Sequence, residues 1–286
     1  MKNKGKVEGS RKRKDEGKEE DATEKQFYEE KVFESFEDEE VKEESLKYLV
    51  DLLDKAHGME LANAVEAVAD YANEGIVEKS ALPKLVKLLE DKDKDVRINA
   101  ALAISNYANM GIVDASALPK LVRLLEDDKE VVAFAVNALA TYASKGLTDR
   151  STLPKLVELL EDEDMHMFTL AAINAYASKG LTEKSTLPKL VELLEAEDQG
   201  IRMYTLQTLS TYASAGLTDK SALPKIVKQL DDGFICMHAA EALGKYAAQG
   251  LTDESALPKL KELLNDEETR EKAQYAIDRY AEKGIK

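Results

Sequence analysis

Four side chains have the chemistry of a nucleophile, a base or a soft metal ligand: His57, His166, His238 and Cys236. Their spacing argues against each role. Paired helical metal ligands stand four residues apart, and zinc-type thiolate sites need Cys-x-x-Cys or Cys/His clusters. Here the residues after the histidines are Gly58, Met167 and Ala239, and there is one cysteine. Cys236 and His238 are two residues apart, about 200° around a helix, so they cannot act as nucleophile and base. No Gly-x-x-x-x-Gly-Lys loop and no Gly-x-Ser-x-Gly elbow occurs. Acidic runs such as Glu161-Asp162-Glu163-Asp164 lack the glycine and ligand order of a calcium loop. The reading is a protein without catalytic residues, cofactor or metal, and a lone cysteine forms no internal disulfide.

A second set of residues has the chemistry of capture. Ile98, Phe134, Met167, Phe168, Met203, Tyr204, Met237 and His238 recur at a common place in a repeated segment, with Asn137, Asn174 and Gln207 beside them. Methionine adapts to varied apolar surfaces, aromatic rings offer large rigid area, and amides pair with peptide groups.

The repeat that positions them is explicit. All six prolines stand in Leu-Pro-Lys, at 83, 119, 154, 188, 224 and 258, spaced by 36, 35, 34, 36 and 34. Tyrosine followed by alanine recurs at 71, 107, 142, 176, 212, 246 and 280, and each is followed four residues later by glycine. Every Tyr-to-Pro link is 12 residues, whereas Pro-to-Tyr varies from 22 to 24. Length therefore varies inside a repeat and not between repeats.

Each half of the repeat reads as a helix. Leu-Pro-Lys-Leu-Val-x-Leu-Leu has helical apolar spacing, with proline in the first turn, where its missing N–H is harmless. Ser80, Ser116, Ser151, Ser185, Ser221 and Ser255 stand three residues before the prolines and read as N-caps. The glycine after each Tyr, followed by Ile or Leu, reads as a Schellman stop. Counting back from each Tyr at 100° per residue, positions 11, 7, 4 and 3 form the core side. Positions 10 and 6 extend it, and positions 9, 8, 5, 2 and 1 face away. In the last repeat Gln274 replaces the apolar residue found six before each earlier Tyr, which reads as a C-terminal cap.

Leu82-Pro83-Lys84-Leu85-Val86-Lys87-Leu88-Leu89 with Asp95-Val96-Arg97 and Ala100-Ala101 resembles a HEAT repeat. The resemblance covers residues 46–286 as about seven repeats. The Val-Arg pair survives as Ile201-Arg202 and Thr269-Arg270 and is lost at Val131-Val132, Met165-His166 and Ile235-Cys236. It implies an all-α fold, a right-handed α-α superhelix in which the second helices line a concave groove. The groove side would then carry the Met and aromatic band. Armadillo repeats add a third short helix, for which the 12-residue link leaves little room.

Charge narrows the partner. With 56 Asp and Glu against 40 Lys and Arg, the formal net charge is −16, so duplex DNA and anionic membranes are poor default partners. No run of about 18 apolar residues spans a membrane, and the first 25 residues carry no secretory h-region. The composition fits a reducing cytoplasm, and its Lys and Glu content resembles that of thermophiles. Residues 1–25 read as a disordered charged tail. Residues 26–45 read as a helix bearing Phe27, Tyr28, Val32, Phe33 and Phe36, which either caps the first repeat or plugs the groove. The expected function is a monomeric, non-enzymatic scaffold holding an amphipathic helix or extended peptide. Nucleic-acid binding, supported only by Arg97, Arg202, Lys245 and the tail, and lyase-type catalysis on a small molecule are the alternatives.

Overall fold

The computed structural model describes residues 39–285, and all regular structure there is helical. Seven helix pairs follow one another: α1 (Glu39–Lys55) and α2 (Met59–Asn73), α3 (Ala81–Leu88) and α4 (Lys94–Asn109), α5 (Leu118–Arg123) and α6 (Lys129–Ser144), α7 (Thr152–Leu159) and α8 (His166–Ser178), α9 (Leu187–Leu193) and α10 (Gln199–Ser214), α11 (Leu223–Lys228) and α12 (Cys236–Ala248), α13 (Leu257–Leu263) and α14 (Glu267–Glu282). The tail at 1–25 and residues 26–38 of the proposed capping helix lie outside the described residues. α1 runs unbroken across the boundary placed between 45 and 46.

Both ends of each pair follow from local chemistry. Gly146 has φ 87°. Its N–H reaches the Ala143 carbonyl at 2.9 Å, and the Leu147 N–H reaches the Tyr142 carbonyl at 3.0 Å, the Schellman pattern. The other end corrects the expectation that serine is the cap. The carboxylate two residues before each serine does the capping. Asp114 accepts the Ser116 N–H at 2.9 Å, as Asp149 and Asp219 do for Ser151 and Ser221. The reason is backbone conformation. Asp114 is extended (φ −121°, ψ 112°), as a cap must be, whereas Ser151 is already helical (φ −64°, ψ −15°). The serine hydroxyls at 221 and 255 donate to the same carboxylates at 2.7 and 2.6 Å. Four of the six links hold a single 3₁₀ turn, such as Ala115–Ala117, and none holds a third helix.

The tyrosines tie each pair shut. Six of them, from Tyr107 to Tyr280, are completely buried. The Tyr107 and Tyr142 hydroxyls donate to the Glu78 and Asp114 carbonyls at 3.0 and 3.2 Å, at the entry of the same pair's first helix. Burial pushes the phenols of Tyr107, Tyr142 and Tyr246 up to about 12. Because the folded value lies above the ordinary value near 10, their contribution is intact below pH 10 and is lost as pH climbs toward 12. At about 1.4 kcal/mol per unit, each withdraws roughly 2–3 kcal/mol. Loss of helicity between pH 10 and 12, shifted upward in Tyr142→Phe, is the expected alkaline titration.

Successive second helices pack directly on one another, while the first helices, α1 against α3 aside, meet mainly their own partners. The stack is close because the buried positions seven and four before each Tyr are Ala or Thr, for example Ala100 and Ala103, Ala135 and Ala138, Thr205 and Thr208. A row drawn together on one side bends toward that side, so the second helices form the inner wall. The first helices are bridged by side chains. Lys84 reaches Asp54 at 2.8 Å, Lys120 reaches Glu90 at 2.6 Å, Lys155 reaches Glu126, and Lys225 reaches Glu195 at 2.5 Å. This is what the lysine of Leu-Pro-Lys does.

At the C-terminal end Gln274 is exposed and its amide donates to Asp278 of the same helix at 2.7 Å. Inside that last interface Gly244 makes room for Tyr275. A Cβ there would stand 2.5 Å from two ring carbons and 3.2 Å from Ala276 Cα. Overpacking costs about 1–3 kcal/mol, against a helix-propensity gain of about 1 kcal/mol for Ala over Gly. Gly244→Ala is therefore expected to loosen α14, and in a Tyr275→Ala background the same change should turn stabilising. Denaturant titration of the four proteins checks the change of sign.

Candidate functional site

On the inner wall the residues eight and nine before each Tyr stand side by side along the stack. Met167 and Phe168 on α8 are exposed (39% and 44%). Ile98 on α4, Phe134 on α6, and Met203 and Tyr204 on α10 are half-buried and pack against the core. Met237 and His238 on α12 are also half-buried, and Asn137 is exposed. The Met167 side chain reaches the next pair, since a Cβ on Gly200 would lie 3.5 Å from its Cε.

The polar neighbours are partly committed inside the wall. The Asn137 amide donates to Ser105 Oγ at 3.3 Å, and Ser105 and Thr141 hydroxyls meet at 3.0 Å. Thr211 donates to Asn174 Oδ1 at 2.8 Å, and Asn106 donates to the Ala69 carbonyl at 3.0 Å. These bonds join adjacent second helices. Gln207 is half-buried, and its backbone carbonyl accepts from Thr211 at 3.0 Å. The position two before Tyr, read as facing away, is a correction: Ala69, Ser105, Ser210 and Gly244 there are buried. Adjacent second helices approach closely enough to cover it.

The titratable groups take structural parts. Arg97 grips Asp127 of the next repeat through Nε at 2.8 Å and Nη2 at 2.6 Å, and donates to the Asp91 and Lys92 carbonyls. The guanidinium beside it holds the Asp127 carboxyl below the usual range. Arg202 repeats this with Asp232, Gln229 and the Ala196 and Glu197 carbonyls. His166 occupies the same repeat position, with Nε2 3.0 Å from the Leu160 carbonyl. Burial pushes the Cys236 thiol up, away from thiolate, and holds His238 down, in the neutral form. Among the described residues no three His, Cys, Asp or Glu side chains converge as a metal site, and no helix is long and apolar enough to cross a membrane.

One feature of the surface lies beyond the eleven residues counted back from each Tyr. Phe234, 66% exposed, stands twelve before Tyr246, one helical turn beyond Met237. The same place holds Asp95, Glu130 and Asp164 in earlier repeats. There the rim is ionic, with Lys94 on Glu130 at 2.5 Å and Lys129 on Asp164 at 2.6 Å. At Gly200 and Phe234 it is uncharged, so the band opens onto the rim. Met59, exposed at 80%, also stands twelve before its Tyr.

The pattern of HEAT repeats matches residues 46–140, 118–210 and 187–278. No curated protein matches the chain. Among solved structures, an engineered protein is 25% identical over 84% of this chain and 71% of its own, with a TM-score of 0.64. A computationally designed armadillo repeat protein for modular peptide recognition is 27% identical over 82% of this chain and 99% of its own, with a TM-score of 0.44. A designed armadillo repeat protein in complex with the peptide (KR)4 is also 27% identical, over 82% and 99%, with a TM-score of 0.43.

Proposed function

This chain belongs to the HEAT-repeat family, and from that premise we propose that it is a non-enzymatic scaffold that holds a segment of a partner protein on its inner wall. One observation carries the reading. In a chain of net charge −16, the inner wall between α4 and α12 presents the exposed Met167 and Phe168 with the half-buried Ile98, Phe134, Met203, Tyr204 and Met237, and the carboxylate on that side, Glu241, is paired with Lys272 at 3.1 Å. Apolar side chains left partly in water on a protein this charged suit a surface that a partner covers. An amphipathic helix or extended peptide supplies matching side chains at regular intervals. Asn137, Asn174, Gln207 and His238 flank the band with neutral polar groups that suit a peptide backbone.

Nucleic acid is disfavoured by the fate of its two best supports, since Arg97 and Arg202 are both spent on neighbouring turns. A photo-crosslinking residue placed at Phe168 or at Met237 tests the reading in the native host. A discrete crosslinked partner is expected at both positions and none from Glu158 on the first-helix side. Equal yields at all three would remove the inner wall as the binding surface.

A further inference from the structure

The two ends of the stack differ. The last pair finishes on Gln274, Arg270 and Glu271, all exposed and polar. The first pair finishes on carbon. Leu49, Ala67 and Tyr71 are half-buried, whereas the residues at the same places in the next repeats, Leu85 and Leu121, Ala103 and Ala138, Tyr107 and Tyr142, are all at 0% exposure. Between the first turns of α1 and the link after α2 lies a depression of about 490 Å³ lined by Leu46, Ile76 and Val77 together with the charged Glu43, Lys47 and Glu78. An open apolar end on a repeat stack invites end-to-end association, which is why terminal repeats are normally polar.

We propose that residues 27–36 of the same chain cover this end, seating Phe27, Tyr28, Val32, Phe33 and Phe36 against α1 and α2. Three facts select that occupant. The segment holds three of the protein's six phenylalanines. It joins directly to α1, whose first residue is Glu39. Reach decides between this end and the mid-stack band. At no more than about 3.6 Å per residue, Phe36 extends roughly 10 Å from Glu39 and Val32 roughly 25 Å. The band at Phe168 lies three helix layers on, at 8–10 Å each, so roughly 25–30 Å away before any path along the surface. Only Phe27 and Tyr28 have length to spare for that site, whereas all five reach the end of the first pair.

The test uses the full chain with Phe33→Asp and Phe36→Asp together, and Phe33→Leu with Phe36→Leu as the conservative control. Amide exchange over 46–73 should quicken at least tenfold in the aspartate variant and stay at the parent rate in the leucine variant. Exchange over 160–210 should not change in either. Three results overturn the proposal. They are parent-like exchange throughout, quickening over 160–210 instead, or a parent that light scattering shows to be a dimer and that the aspartate variant renders monomeric. The last would mean that a second copy covers the end.

Discussion

Tyr142→Ala is expected to remove about 3–5 kcal/mol of unfolding free energy, a large share of the 5–15 kcal/mol typical of folded proteins. Its ring is completely buried where α6 ends, and its hydroxyl closes on the Asp114 carbonyl at 3.2 Å. Truncation leaves a cavity and removes the hydroxyl from the Asp114 carbonyl, which keeps the Ala117 N–H at 3.0 Å. Tyr142→Phe keeps the ring and should cost only about 1 kcal/mol. In a stack where each repeat touches only its neighbours, the loss should be local. Amide exchange over 118–144 should rise first, with α2 and α14 following later. Equal losses for the two variants would show that the hydroxyl, and not the ring, holds the pair together.

Phe168→Asp is expected to weaken partner binding about 30- to 100-fold, the 2–3 kcal/mol of an interface hot spot, while leaving the melting temperature within about 2 °C of the parent. The asymmetry follows from exposure, because 44% of Phe168 is already in water. Tyr204→Asp behaves differently. Its ring packs against the core, so folding and binding should fall together. Parallel titrations of both variants against the crosslinked partner separate the two residues. Unchanged binding by Phe168→Asp would take the band out of recognition.

Much of this architecture was legible from the residues alone. The glycine stops, the alternation of two helices and the polar finish at Gln274 are local or periodic signals, and each survives in the structure. The errors share one cause. Serine was read as the cap because it is a good cap in isolation. The carboxylate two residues earlier wins because the chain is still extended there. Arg97 reads as support for nucleic acid and Lys84 only as part of a motif, but their partners belong to the next and the preceding repeat, and a single repeat contains no record of them. Phe134 and Tyr204 stand at the margin of the helical wheel, and Ile98 stands opposite the core. How far burial extends round a helix depends on how closely its neighbour approaches, which wheel angles do not encode.

The lysine rungs across the outer row have a mechanical consequence. The inner row is helix against helix, held by side chains too small to yield. The outer row is tied by ion pairs whose carboxylates are mostly in water, as with Glu126 and Asp231. Salt shortens the reach of exposed charges to about 8 Å at physiological strength and less above it. Raising it slackens one margin of the strip and leaves the other taut, as heat does to a bimetallic ribbon. The radius to which the protein curls is therefore a property of its medium as well as of its repeats.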